Sequence, residues 1–349
     1  MERRGGTGVD GDVTRTRAFL ESLRARRDEG ERMPPVGPDI DLTGLNLVRA
    51  DFAGLDLTGV NLRGLDLSES NLQGARLLGA DLEGAILHGC DLSDAELLGA
   101  NLDGADFTTA TLHRTGLGRV SGNSATFFGA DATGATFTSS DLTDSDFRTS
   151  TLKDARFRET TLDGATFDGA VMREIDLTTS TVDGASFQKV DLFNARLRGV
   201  TGYKSANWIN ADLREVDFTG AWLLRRHALD ENFIAEFRGQ SPRHELLYKL
   251  WWVTSDCGRS IGRWSAWTVL VALIYAGVYT QVEISYGGLE TPLSPLYYSV
   301  VTFTTLGYGD VLPGSTTAQI LAMSEVVLGY FSLGGMMSIL SDKIARRAG

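Results

Sequence analysis

Cysteine is nearly missing from this chain: two in 349 residues, Cys90 and Cys257, far apart in sequence. Two isolated thiols supply no disulfide framework, so packing and backbone pairing must hold the fold. The four histidines, His88, His113, His227 and His244, fall at no metal-ligand spacing. There is no phosphate-cradling glycine loop, nucleophile elbow or paired catalytic motif, so an enzymatic reading has no residue to rest on and no cofactor is expected. Arg3-Arg4 lack the apolar stretch behind them that an export signal needs. Lys and Arg are absent from the whole stretch between Trp264 and Asp342.

What is abundant is acid and a short period. The net charge is −12, and residues 41–223 carry 27 acidic and 15 basic side chains, which accounts for all of it. An acidic segment argues against nucleic-acid binding, which needs Lys and Arg for the phosphates. From Leu42 to Leu197 every fifth residue is Leu, Phe, Met or Val, except Gly122 and Ala132. Two residues before each sits a small side chain, as at Ala75, Ala80, Ala85 and Cys90, with Asp or Asn often between. Five is neither a helix nor a strand period. A chain turning a corner every five residues forms a square coil, with the large and the small residue inside. Coils stack at β-ladder spacing, so about nine of them make a rod about 43 Å long.

Segments such as Ala80–Gly84 (Ala-Asp-Leu-Glu-Gly) and Ala100–Gly104 (Ala-Asn-Leu-Asp-Gly) resemble the pentapeptide-repeat family. The resemblance implies an all-β, right-handed quadrilateral β-helix over residues 39–223. The register slips by one residue at Gly202-Tyr203-Lys204-Ser205 and resumes at Trp208, Leu213, Phe218 and Leu223. Gly122, within Arg119–Ser124, reads as a second weak spot, a bulge or small loop. Residues 1–38 read as a flexible segment with one short helix at Val13–Arg26.

Further on lies Thr304-Thr305-Leu306-Gly307-Tyr308-Gly309-Asp310. Glycines at alternate positions allow the positive φ that points successive carbonyls to one side. Pro295 suits the first turn of a helix leading into this segment. An apolar stretch lies on each side, Trp264–Val282 and Ala318–Leu340, each long enough to span a bilayer. The ensemble resembles the two-transmembrane-helix class of potassium channel, whose filter reads Thr-Val-Gly-Tyr-Gly; Leu306 replaces the Val. The resemblance implies an all-α pore domain over residues 263–349: helix, pore helix, filter loop, helix. It implies K⁺ held by Thr305, Leu306, Gly307 and Tyr308, with Gly309 completing the filter, and a homotetramer around one pore. Thr304, Asp310, Tyr297 and Tyr298 would support the filter, either Tyr donating to Asp310. Gly329, Gly334 and Gly335 are hinge candidates, or close-packing positions. Glu325, a carboxylate in an apolar helix, is expected to partner the pore helix.

Basic residues flank both spans: Arg259 and Arg263 before the first, Lys343, Arg346 and Arg347 after the second. The positive-inside rule then puts both termini in the cytoplasm of a cell-membrane protein embedded in lipid. Trp264, Trp267, Tyr275 and Tyr279 are placed as interfacial anchors would be. Residues 224–262 read as a helical cap and linker. Leu229, Phe233 and Phe237 form one helical face suited to capping the last coil or to packing against its copies in neighbouring subunits. His244–Val253, with Trp251-Trp252, suits either a membrane-surface helix or core packing. The reading that follows is a K⁺-selective channel with a cytoplasmic solenoid for assembly, gating or docking an unknown cytoplasmic protein. The alternative is a membrane-anchored scaffold with a vestigial pore, its acidic solenoid DNA-mimic-like.

Overall fold

The five-residue corner has its cause in the backbone hydrogen bonds. In the computed structural model, residues 18, 21, 42, 45–288 and 290–348 are described. In the unit Asn71–Ala75, the Leu72 N–H donates to Asp91 in the next coil at 2.7 Å and the Gly74 N–H to Ser93 at 2.8 Å. The Asn71 N–H reaches back to Ala50 at 2.9 Å, and the Ala75 N–H closes the turn on Leu72 at 3.0 Å. One amide remains, that of Gln73, and the Asn71 side-chain oxygen accepts from it at 3.1 Å. Asp or Asn at this place therefore satisfies the one donor the ladder leaves over. Gly74, at φ 63, shows why glycine follows the large residue so often: the corner needs the left-handed region.

The chain divides into two compact units, Met1–Phe233 and Ile234–Gly349, each described by itself. In the first, parallel bridges run from Asp51↔Asn71 to Arg196↔Asp217, spaced by 20 residues until Thr181↔Thr201 and by 21 from Ser186↔Asn207 onward. This is the quadrilateral β-helix, with the one-residue slip where the sequence puts it. The other expected weak spot is not one. The ladder passes unbroken through Asn101↔Ser121 and Ser121↔Asp141. A Cβ on Gly122 would lie 2.8 Å from Leu142 Cδ2, so the neighbouring leucine fills the space the glycine leaves.

Inside, Phe107, Phe127, Phe147, Phe167, Phe187 and Trp208 stack in one column with centroids 4.4–5.0 Å apart. Hydroxyls in the small-residue column donate to carbonyls, either of the coil before, as Ser70 does to Leu47 at 2.7 Å and Thr115 to Leu92 at 2.9 Å, or of their own turn, as Ser145 does to Leu142 at 2.6 Å and Ser150 to Phe147 at 2.7 Å. Polar atoms in this dry core are thus paired, which spares the cost of orphaned donors. Of the expected helix at Val13–Arg26, Ala18 and Glu21 are helical; the remainder lies outside the described residues.

Helix α1, Trp222–Gly239, follows the last coil. It begins before the expected solenoid end, and Leu223 is exposed rather than inward. The capping face also differs from the expected one. Leu224 and Ala228 are buried, while Leu229 and Phe233 are more than half exposed. Asn232 takes the Trp208 carbonyl at 3.1 Å, and Glu231 accepts from the Trp208 N–H at 3.3 Å. Polar side chains meet the open backbone edge because a coil end presents unpaired amides, which an apolar stripe cannot satisfy.

In the second unit α2 (Pro242–Ser255) leads to α3 (Ile261–Tyr279), β1 (Ile284–Ser285), α4 (Ser294–Phe303), β2 (Leu312–Pro313) and α5 (Thr316–Ala348). The Ser260 side chain caps α3 by accepting from the Arg263 N–H at 3.2 Å. Both α3 and residues Thr316–Ser341 of α5 are long and apolar enough to cross a membrane. The β1–β2 pair, Ile284↔Pro313 and Ser285↔Leu312, ties the segment before α4 to the segment after Thr304–Asp310.

Candidate functional site

The Thr304–Asp310 segment leaves the C-terminus of α4 under backbone control. The Thr305 N–H donates to Thr302 at 3.1 Å, and the Leu306 N–H to Val301 at 3.0 Å. Three alternate residues then take positive φ: Thr305 at 57°, Gly307 at 50° and Gly309 at 76°. Thr305 was not foreseen in that region. It is β-branched, and the left-handed conformation costs it about 1–2 kcal/mol; such strain persists where the surroundings impose it.

All seven residues from Thr304 to Asp310 are exposed in a single chain, Leu306 by 59% and Tyr308 by 68%. The large side chains of Leu306 and Tyr308 are thus mostly uncovered in a single chain. A groove of about 560 Å³ opens beside the loop, lined by Tyr298, Val301, Tyr308, Met323, Val326 and Tyr330 among others.

Behind the segment, the two tyrosines divide their roles. The Tyr297 hydroxyl donates to Asp310 Oδ2 at 2.7 Å. Tyr298 is buried instead, edge-on to Tyr279 with centroids 4.8 Å apart. Glu325 of α5 is fully buried; its Oε1 accepts from the Ser299 hydroxyl of α4 and its Oε2 from the Tyr279 hydroxyl of α3 at 2.6 Å. Ser299 Oγ also lies 2.8 Å from the Ala272 carbonyl. One carboxylate therefore joins three helices in an apolar setting, where each such bond replaces an otherwise orphaned polar group.

The three glycines of α5 differ. A Cβ on Gly329 would collide with the Phe303 carbonyl at the end of α4, and one on Gly335 with the Trp264 ring of α3. Around Gly334 nothing lies within 4 Å. Gly329 and Gly335 are therefore contact glycines, and Gly334 alone has free space.

The aromatics read as interfacial anchors are partly used otherwise. Tyr279 is 1% exposed and bonded to Glu325. Tyr275 bonds the Ser324 hydroxyl at 2.8 Å, and Trp264 Nε1 donates to the Ser332 carbonyl at 2.8 Å. Trp267 keeps 40% exposure, its indole N–H reaching the Val253 carbonyl of α2 at 3.2 Å. Tyr279 and Ser299 went unnoticed as site residues. Their only sequence signal was polarity inside an apolar stretch, spaced to meet Glu325 only after the helices pack.

Residues 39–74, 75–114, 123–158, 140–178 and 155–199 match pentapeptide repeats, in eight copies, and residues 264–346 match the ion channel model. Over 85 residues the chain is 35% identical to two-pore potassium channel 4 of Arabidopsis thaliana, covering 21% of this chain and 30% of that protein. Over 75 residues it is 32% identical to the calcium-gated potassium channel TvoK of Thermoplasma volcanium, covering 21% of this chain and 22% of the relative. The chain thus spans less than a third of either relative's length. Among solved structures, HetL, a pentapeptide repeat protein of the cyanobacterium Nostoc sp. strain PCC 7120, is 26% identical, with 57% of this chain and 94% of HetL covered. The TM-score is 0.33. The chain is a membrane protein that joins pentapeptide repeats to an ion channel domain.

Proposed function

We propose that the protein is a potassium-selective channel in which four copies bring their Thr304–Asp310 segments together around one axis. The observation that carries this reading is the alternation of positive φ at Thr305, Gly307 and Gly309 in a Thr-Leu-Gly-Tyr-Gly sequence. Alternating φ turns the carbonyls of Thr305, Leu306, Gly307 and Tyr308 toward one side. A ring of such oxygens replaces the hydration shell of K⁺. The exposed Leu306 and Tyr308 side chains and the adjacent groove fit cover by neighbouring copies, which hold the ring at its diameter. Tyr297 braces Asp310, and the Glu325 network fixes α4 against both spanning helices. Both termini face the cytoplasm, with the solenoid there serving assembly, gating or partner docking.

The test is ion uptake into liposomes by the purified full chain. K⁺ uptake that exceeds Na⁺ uptake and disappears in Gly307→Asp supports the reading. Equal K⁺ and Na⁺ uptake, or none from a correctly inserted protein, overturns it in favour of a membrane-anchored scaffold.

A further inference from the structure

The four sides of the solenoid are not equivalent in charge. The side running through Leu62, Leu82, Leu102, Gly122, Leu142, Leu162 and Val182 holds seven acidic residues and one base, Arg63. Arg63 is spent on Glu83, at 2.5 Å. Asp81, Asp103, Asp141, Asp144, Asp163 and Asp183 then have no basic partner among the described residues; Asp81, Asp103, Asp141, Asp163 and Asp183 accept hydrogen bonds from amides and hydroxyls. Asp163 and Asp183 stand one coil apart, and like charges adjacent on a ladder repel. Every other described ion pair of the solenoid falls on the remaining three sides.

The side just before it in each coil is the opposite. It runs through Leu57, Leu77, Leu97, Leu117, Phe137, Phe157, Leu177 and Leu197 and bears six arginines to four acids. Arg158 and Arg196 share the single carboxylate of Asp176, at 2.6 and 3.4 Å, and both remain more than half exposed. Arg119 and Arg156 have no ion-pair partner among the described residues. Higher on the same side Leu98 is 49% exposed and lies over Gly118, where an added Cβ would come within 3.3 Å of it. This side is partly apolar and short of negative charge.

We infer that the solenoids of neighbouring copies pack side by side, the arginine side of one against the carboxylate side of the next. The two sides are adjacent around a square coil, about a quarter-turn apart. A contact between unlike surfaces set a quarter-turn apart is heterologous and closes on itself after four copies. Arg156 and Asp163 lie in the same coil, so copies at equal height bring them opposite each other. Apposition offsets carboxylates that the single chain leaves unpaired, and it covers Leu98. The inference rests on the four-fold reading of the pore.

The test uses the full chain carrying Cys90→Ala and Cys257→Ser, with new cysteines at Thr138→Cys on the arginine side and Thr143→Cys on the carboxylate side. Within one chain these point away from each other around a corner, so a disulfide between them must join two chains. The expected result is an oxidised ladder ending at four chains in the double variant and no covalent product in either single variant. Dimers from a single variant would mean like faces meet, and would overturn the inference. A particle of tetramer mass that yields no ladder overturns the side-by-side contact while leaving the four-fold pore standing; a monomer overturns both. Charge supplies the second readout. Arg156→Glu should lower the yield about tenfold, as like charges are brought face to face, and adding Asp163→Lys should restore it; an unchanged yield, or no restoration, counts against the pairing.

Discussion

Gly329 separates a packing role from a hinge role. Alanine there places a methyl on the backbone carbonyl of Phe303, which no rotamer change can move aside. Forcing extra volume into a packed contact costs about 1–3 kcal/mol, and this clash is of the rigid kind, near the top of that range. Replacing a helical glycine by alanine returns about 1 kcal/mol. The net is about 2 kcal/mol of destabilisation per chain. Gly334→Ala meets nothing within 4 Å of the chain's own atoms and keeps only the propensity gain. The two substitutions, five residues apart on one helix, should therefore differ by about 3 kcal/mol in opposite directions. The assay heats purified full-length protein in detergent and measures the assembled fraction by size exclusion. Gly334→Ala should survive to a higher temperature than the parent, and Gly329→Ala to a lower one. Gly335→Ala should fall below the parent too, by less than Gly329→Ala, because its obstacle is a side chain. Were Gly329→Ala at least as heat-resistant as the parent and altered only in ion flux, the contact would not matter and bending at Gly329 would explain the glycine.

Three further outcomes follow from the same geometry. Glu325→Leu strands the Tyr279 hydroxyl, at about 1–3 kcal/mol for a buried orphan, and leaves Ser299 only the Ala272 carbonyl, so assembly and K⁺ uptake should both fall; Glu325→Gln keeps an acceptor and should retain most of both, and intact flux in the Leu variant would disprove the bracing role. Phe147 is stacked on Phe127 and Phe167 at 4.6 and 5.0 Å, so Phe147→Ala should cost about 3–5 kcal/mol, read by urea unfolding followed by circular dichroism; a loss under about 1 kcal/mol would mean the column collapses to refill the space. Acid should weaken the solenoid. Thr219 and Arg198 hold Asp217 down to about 2, and arginines hold Asp94 and Asp212 below their ordinary value. A carboxylate depressed in the folded state stabilises fully above its unfolded value, about 4, and loses that contribution as pH falls through the folded value. The melting temperature of the solenoid should thus hold at pH 5 and drop between about pH 4 and pH 2; a maximum near pH 3 would contradict this.

The apolar cap was anticipated on Leu229, Phe233 and Phe237, but Leu224 and Ala228 join the solenoid core instead, and Glu231 and Asn232 meet the open backbone of Trp208, because the end of a coil is an edge of amides as well as an apolar surface. Gly122 looked like a break because periodicity registers a missing side chain but not the Leu142 that fills in behind it. Either tyrosine looked able to reach Asp310; only helix rotation in the folded unit assigns Tyr297 to Asp310 and Tyr298 to Tyr279.

The period of five, the one-residue slip after Thr201 and the two apolar spans were determined by sequence alone, because each is a local matter of which side chain follows which. The same holds for alternate glycines in Thr-Leu-Gly-Tyr-Gly, since positive φ is a single-residue preference. Only the tertiary structure decided that Glu325 meets Ser299 and Tyr279, that Gly329 rather than Gly334 touches the end of α4, and that Thr305 joins the positive-φ set. Those depend on how three helices rotate and approach one another, and that is set by the packing of all their side chains at once, which no spacing along a single segment encodes.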